Sequence, residues 1–444
     1  MLFLSVNVLS LQAGAPPIHR ASRHAVVRAA AADYLKEIEQ GPPDAILGIA
    51  ANFRASTAEN KVNVAVGAYR TNEGVPWVLP SVREAEQRIL AAGKNKEYAP
   101  IEGLGDFVGH AMEFAYGKDC AALKEGRIAA VQTLSGTGAC RIAGEFYSRF
   151  LPRGTATEVY LPDPTWGNHV PIMGNAGLQV KRYRYLNRKT NGLDIDGLLA
   201  DVEAAPDGSV FLLHACAHNP TGVDPTREQW GAIVAALAPR KNKLALFFDS
   251  AYQGFASGDA DRDAAAVRRF VADGHELLLA QSYAKNFGLY GERVGALNVV
   301  CASVAERDAV FSQLQGPILR PLWSSPPLHG ARIAAKVLGD ATLRTQWMGE
   351  LKGMSDRIIS MRVALRAELE RIGAPSPAGG GDWSHVDSQI GMFAFTGLSA
   401  AQVDRLREVH NIYLTRDGRA SIAGLTSPDV PYVAAAIKEV VEAA

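Results

Sequence analysis

Through the middle of the chain, short continuous apolar runs alternate with longer stretches in which apolar residues recur at three- and four-residue steps. The runs Thr157–Leu161 (TEVYL), Val210–Cys216 (VFLLHAC), Leu244–Phe248 (LALFF), Glu276–Ala280 (ELLLA) and Ala296–Val300 (ALNVV) predict buried strands. Between them lie helix-like segments such as Thr226–Leu237, where DPT supplies a cap. This alternation predicts an α/β domain with a mainly parallel sheet flanked by helices. Further on, Trp347, Leu351, Met354, Ile358, Met361 and Leu365 recur at helical spacing. They predict one long amphipathic helix over Trp347–Leu369, whose Met and Leu stripe reads as core. The segments IGMFAFTGL and HNIYLTRDGRASIAGL and a last helix then predict a smaller α+β domain, joined by Asn63–Arg70 (NVAVGAYR).

Composition narrows the class. A chain of 444 residues, 48% hydrophobic and 21% charged, has ample material for a sizeable core and is neither disordered nor fibrous in composition. Lys+Arg and Asp+Glu each number 46, so there is no global electrostatic reason to expect nucleic acid or an anionic membrane as partner. Cys120, Cys140, Cys216 and Cys301 contain no CxxC pair, which argues against a disulfide framework or a zinc ribbon and for a reducing compartment. The opening MLFLSVNVLSL is too short and too interrupted to cross a bilayer. From Met1 to Ala32 there is no acid, while Arg20, Arg23 and Arg28 punctuate an Ala- and Ser-rich stretch, the composition of an organelle transit peptide. Its VRAA run favours a chloroplast address, with the mitochondrion as the alternative. A short APSPAGGGD stretch at Ala374–Asp382 reads as a surface loop.

Several polar residues stand at the ends of the apolar runs, where open parallel sheets bind their ligands. Asp249 directly follows LALFF, and a carboxylate there needs a cation or donors. Lys285 follows ELLLA in QSYAKNFGLYGERVG, where desolvation would lower its pKa and suit it to form a Schiff base. The segment Leu134–Ala139 (LSGTGA) is either an anion cradle or a tight turn, and Arg293 is placed to clamp the same anion. His214, Cys216 and His218 alternate as metal ligands do, but without a fourth ligand they read as core or supporting residues, so no metal is expected.

In order along the chain, SGTGA, DPTWGNH, HACAHNPTG, FFDSAYQGFASG, SYAKNFGLYGERVG, WSSPPLHGARI and IGMFAFTGL resemble the aspartate aminotransferases. These are pyridoxal-phosphate enzymes of class I and fold type I, and the resemblance, of a plant or algal organellar type, runs from about Pro43 to the C-terminus. It implies a homodimer with two shared active sites and transfer of the amino group of L-aspartate to 2-oxoglutarate, giving oxaloacetate and L-glutamate. Lys285 is similar to the lysine that binds the cofactor covalently and moves the proton, and Asp249 to the partner of the pyridine nitrogen. His169 resembles the residue supporting that aspartate, and Trp166 the ring stacked on the cofactor. Asn219 and Tyr252 match the groups at the phenolic oxygen, and Ser135, Gly136, Thr137, Ser282 and Arg293 the phosphate site. Arg419 resembles the arginine for the α-carboxylate. Arg320 resembles the arginine for the distal carboxylate, reaching over from the other subunit as Tyr98 does towards the phosphate. Gly67 and Phe393 resemble small-domain residues that line the substrate. The implied division is 1–32 transit peptide, 33–45 N-terminal arm, 76–345 large cofactor domain, and 46–75 with 346–444 as the small domain. Ala284 and Gly291 depart modestly from the family pattern.

Rival classes leave weaker traces. Gly136-Thr137-Gly138 begins like a dinucleotide loop, but Arg141 stands where G-x-G-x-x-G needs its last glycine. No G-x-x-x-x-G-K-[ST] occurs. A non-catalytic binding module, an aromatic aminotransferase and a lyase remain, and Arg320 favours the dicarboxylate.

Overall fold

The computed structural model describes residues 35–41, 47–238, 243–377 and 382–443. The expected transit peptide, 1–32, and residues 378–381 of the Ala374–Asp382 loop lie outside the described residues. Residues from Ala45 onward form one compact unit, and residues 35–41 belong to a separate N-terminal unit.

Eleven short segments, taken in chain order, organise the site: β1 (Val62–Asn63), β2 (Ile128–Leu134), β3 (Glu158–Asp163), β4 (Gln179–Arg184), β5 (Val210–His214), β6 (Ala245–Ser250), β7 (Leu277–Ser282), β8 (Val294–Val300), β9 (Phe393–Phe395), β10 (Ile412–Tyr413) and β11 (Arg419–Ser421). Seven of them make one sheet in the order β2-β8-β7-β6-β5-β3-β4. Every neighbouring pair is parallel except those of β8, which is antiparallel to both β2 and β7. The carboxyl ends of the other six strands therefore share one edge, and β8 begins at that edge, which brings the preceding Arg293 there as well. The architecture is the α/β class that the alternating pattern predicts.

The continuous apolar runs arise because both faces of this sheet are covered, as parallel sheets require. Along β5, Val210 and Leu212 join one cluster with Ala139, Ile142 and Tyr147, while Phe211 and Leu213 join the other with Ile233, Val234 and Phe270. The first cluster packs helix α1 (Ser135–Phe150) and the second helix α2 (Arg227–Leu237). Thr226 caps α2 in a reciprocal box with Gln229. Two strands lack a plain apolar run. In β2, Gln132 is buried because its Oε1 accepts from Leu104 N at 3.1 Å and its Nε2 donates to Pro327 O at 2.7 Å. Strand β4 is an edge, mostly exposed on one face.

The long helix is α3 (Ala341–Arg371), started by Asp340, whose side chain accepts from Thr342 N and Leu343 N. It buries Trp347, Leu351, Met354, Ile358, Met361 and Leu365, the stripe read from the spacing. The expected domain limit after residue 345 falls inside this helix. Beyond it, β1 pairs in parallel with β10, and β9 pairs antiparallel with β11, before the last helix, α4 (Asp429–Glu442). The four cysteines are unpaired. Among the described residues, no helix is long and apolar enough to cross a membrane.

Leu351 is fully buried, and a methyl group added at Gly254 would lie 2.5 Å from its Cδ2. Leu351→Ala is expected to cost about 2–5 kcal/mol through lost burial and the cavity left behind. Urea denaturation of both proteins checks this, and an unchanged midpoint would contradict it.

Candidate active site

The carboxyl edge of the sheet gathers most of the residues singled out in the sequence. Asp249, near the end of β6, is buried, and its Oδ2 lies 3.1 Å from His169 Nε2. The other imidazole nitrogen, Nδ1, lies 2.8 Å from Thr165 Oγ1, and Trp166 packs edge-on against the ring at 5.1 Å. Burial works to raise the Asp249 pKa, but the His169 hydrogen bond and the charges of His169, His214 and Lys285 outweigh it, so the net shift is downward. The carboxylate is held ionised. Its Oδ1 makes no hydrogen bond among the described residues.

Lys285 lies just beyond β7, its Nζ 5.1 Å from the centre of the Tyr252 ring. Burial pushes its ammonium down from the ordinary value; Asp249 opposes the shift, and Arg293 and Arg419 add to it. Tyr252 is itself buried, and burial raises its phenol pKa against the pull of Arg419.

At the end of β2 the chain turns into α1. Ser135 takes a left-handed φ of 62°, its N donates to Arg293 O at 3.1 Å, and its hydroxyl meets that of Ser282 at 3.1 Å. Arg293 is also left-handed, with φ 54°, and its Nη1 donates to Tyr290 O. Two non-glycine residues in this region mark stored backbone strain. The result sets the N-terminal N–H groups of α1, the Ser135 and Ser282 hydroxyls and an exposed guanidinium, without an acidic partner among the described residues, in one neighbourhood. A methyl group at Gly136 would lie 3.0 Å from Ser282 Cβ, so the turn and Ser282 are in close contact here. Gly136 and Thr137 lie in the first turn of α1, where N–H groups favour an anion.

Arg419, in β11, is 5% exposed, and among the described residues no carboxylate pairs with it. Its Nη1 donates to Asn219 Oδ1 at 3.2 Å, its Nη2 to Ala65 O at 3.1 Å, and its guanidinium lies 4.1 Å from the centre of the Phe393 ring. A methyl group at Gly67 would lie 2.6 Å from that ring, so Gly67 and Phe393 meet here.

Two candidates stand apart. Tyr98 is 90% exposed, and Arg320 donates only to Ser324 Oγ, at 2.6 Å. Neither touches the cluster through a hydrogen bond, ion pair or ring contact within the chain. Of the three alternating metal candidates, only His214 is in a strand; His218 instead stacks on Tyr185 at 3.9 Å. The ligand atoms that do converge, within 4.8 Å, are those of Cys140, His169 and Asp249.

The sequence reading gave no role to Thr165, although it lies inside DPTWGNH. Gly295 was also missed: a methyl group there would lie 2.4 Å from the Ser135 carbonyl carbon and 2.6 Å from Gln281 O. Its glycine lets β8 pass directly under the turn.

The residues present fit pyridoxal phosphate. A buried anion with a free oxygen suits a protonated ring nitrogen, a lysine of depressed pKa suits an aldehyde, and the strained turn with Arg293 suits a phosphate.

Comparison with known proteins identifies the family. The model of the family "aminotransferase class I and II" matches residues 59–437. The chain is 49% identical over 416 residues to the mitochondrial aspartate aminotransferase of Xenopus tropicalis, covering 94% of this chain and 95% of the relative. It is 52% identical over 401 residues to the cytoplasmic aspartate aminotransferase of Oryza sativa subsp. japonica, covering 90% and 96%. Among solved structures, the aromatic-amino-acid aminotransferase of Burkholderia pseudomallei, covalently bound to pyridoxal phosphate, superposes with a TM-score of 0.86 at 40% identity, covering 91% of this chain and 98% of that one. The chain belongs to the class I and II aminotransferases.

Gly295→Ala is expected to displace the Ser135 turn and weaken binding of pyridoxal phosphate by about tenfold or more, an anion contact worth about 1.4 kcal/mol. Titration of the apoprotein with the cofactor, followed by intrinsic fluorescence, measures it, and wild-type affinity would contradict the assignment of the cradle.

Proposed function

We infer that the protein is a pyridoxal-phosphate-dependent aspartate aminotransferase, which passes the amino group of L-aspartate to 2-oxoglutarate by alternating half-reactions. The observation that carries this reading is Arg419, a buried guanidinium with no carboxylate of its own beside Asn219 and close enough to Tyr252 to affect its ionisation. A desolvated arginine fork matches a carboxylate, and here it is left available for one from outside.

Pyridoxal phosphate, when bound, supplies an aldehyde for the amino group and a ring that accepts the electron pair released at Cα. Asp249, held ionised by His169, keeps a proton on the ring nitrogen. Ser135, Gly136, Thr137, Ser282 and Arg293 would hold the phosphate, and Trp166 would face the ring. Asn219 and Tyr252 would donate to the phenolic oxygen and favour its deprotonated form. Lys285 would hold the cofactor covalently at rest and, once freed by substrate, would serve as the base for the Cα proton and as the acid that returns it. Burial suits it to this task, because a lowered pKa leaves more of the amine unprotonated and so available as a base. Arg419 binds the α-carboxylate and Arg320 the distal one.

The exposure of Tyr98 and Arg320 supports a shared site, in which each reaches the partner subunit of a homodimer. Residues 46–75 and 346–444 act as a small domain that closes on 76–345, bringing Gly67 and Phe393 over the substrate and excluding water. The acid-free, arginine-bearing stretch 1–32 supports an organellar address, the chloroplast in preference to the mitochondrion.

Lys285→Ala is expected to abolish turnover while still binding the cofactor noncovalently, and steady turnover near the wild-type rate would refute the reading. Arg320→Leu is expected to lose about 10²-fold in kcat/KM for L-aspartate, as for a charge-assisted pair worth about 3 kcal/mol. An unchanged ratio of aspartate to phenylalanine activity would instead favour the specificity of the aromatic relative.

A further inference from the structure

Helix α3 carries an arginine on its buried face. Arg362 follows Ile358 by one helical step and precedes Leu365 by another, so it points with them into the core, where it is 2% exposed. No carboxylate pairs with it among the described residues. The nearby Asp387 is taken by Arg366, whose Nη1 donates to both of its oxygens, at 2.9 and 2.8 Å. Burial pushes the Arg362 guanidinium down to about 9, against the pull of Asp387, which leaves it a cation at neutral pH.

A buried cation without an acid is costly, and a methionine or leucine would fill similar space without that cost. The charge is accounted for by what it holds. Arg362 Nη1 donates to Val386 O at 2.8 Å, and Nη2 donates to Gly391 O at 2.7 Å and to Phe393 O, while Nε makes no hydrogen bond. All three carbonyls belong to the single stretch that ends on Phe393, the residue whose ring lies against Arg419.

That stretch is held from its other side by the loop carrying Asn219. Ile390 N donates to Gly222 O at 2.7 Å, and a methyl group at Gly222 would lie 2.9 Å from Phe393 O. A methyl group at Gly391 would lie 2.4 Å from Ala217 Cβ. The stretch is thus wedged between the Arg362 fork and the loop whose Asn219 accepts from Arg419 Nη1.

We propose that Arg362 is a positioning residue for substrate binding: by fixing the carbonyls of 386–393 it sets the Phe393 ring, and with it the direction in which Arg419 presents its guanidinium. This rests on the reading of Arg419 as the carboxylate clamp. The effect falls on substrate affinity, because Asp249, Lys285 and the phosphate cradle are held by other contacts.

The test uses the holoenzyme with Arg362→Lys, which keeps the charge but not the fork, and Arg362→Met, which keeps the volume but not the charge. The probe is succinate, a dicarboxylate with no amino group to react, titrated by the cofactor's visible absorption. Both variants are expected to bind the cofactor at wild-type stoichiometry with an unaltered resting spectrum. The succinate Kd and the aspartate KM should both rise by about tenfold or more while kcat changes by less than about threefold, the split expected for lost ground-state binding. Variants with wild-type succinate affinity overturn the proposal. So do variants that fail to fold or lose cofactor and succinate together, because the arginine would then hold the fold as a whole. Failure of the wild-type protein to bind succinate would overturn the reading of Arg419 instead.

Discussion

Taking the Asp249 carboxylate, the Lys285 ammonium and the Arg419 guanidinium out of water costs several kcal/mol each unless protein groups replace the lost hydration. The fold places all three in or beside one edge of its main sheet and compensates them unequally. Asp249 is stabilised by His169, itself braced by Thr165, so its charge persists. Lys285 has its charge weakened by burial. Arg419 keeps two neutral partners, an amide and a carbonyl, and no acid. A carboxylate, an amine of depressed pKa and an unpaired guanidinium form the set that amino-group transfer on an anionic substrate needs. The inequality of their compensation gives each a separate task.

The same edge accounts for the anion cradle. Because β8 runs against its neighbours, its first residue lies at the edge where the others end, and Arg293 meets Ser135 through a backbone hydrogen bond. Both residues adopt the left-handed region, a strain that the surrounding sheet over-determines. Gly295, paired with Ser282, lets β8 pass beneath without collision. Sheet topology, helix N-terminus and glycine placement thus act as one device, and a longer side chain at any of these points would move the others.

Much of this was legible in the sequence because a sheet covered on both faces writes itself as apolar runs, and polar residues at the ends of those runs stand out. Each of the five apolar runs overlaps a strand of the sheet, although VFLLHAC outlasts its strand by Ala215 and Cys216. Strand β2 escaped because Gln132 and Thr133 interrupt it, Gln132 satisfied by a bond to Leu104 that only the tertiary structure supplies and Thr133 by a local one to Ser135 O. Strand β4 escaped because an edge strand needs no continuous apolar face. The proposed roles of Asp249 and Lys285 are within reach of the residues, whereas those proposed for Trp166, Asn219 and Arg419 come from family resemblance. Arg362 did leave a signal, an arginine at core spacing in the Met and Leu stripe, which was read only for its apolar members. Among the described residues of a single chain, Tyr98 and Arg320 make no hydrogen bond or ion pair with the other site residues, since their proposed contacts lie on another subunit.

The central claim is that one buried lysine and one buried aspartate, set beside a carboxylate-seeking arginine, carry both halves of an amino-group exchange. Absorption spectroscopy of the purified protein loaded with pyridoxal phosphate addresses it most directly, with L-aspartate added first and 2-oxoglutarate second. The account predicts that the visible cofactor band is converted to the pyridoxamine form by aspartate alone and returns on addition of 2-oxoglutarate. A band that aspartate leaves unmoved would contradict it.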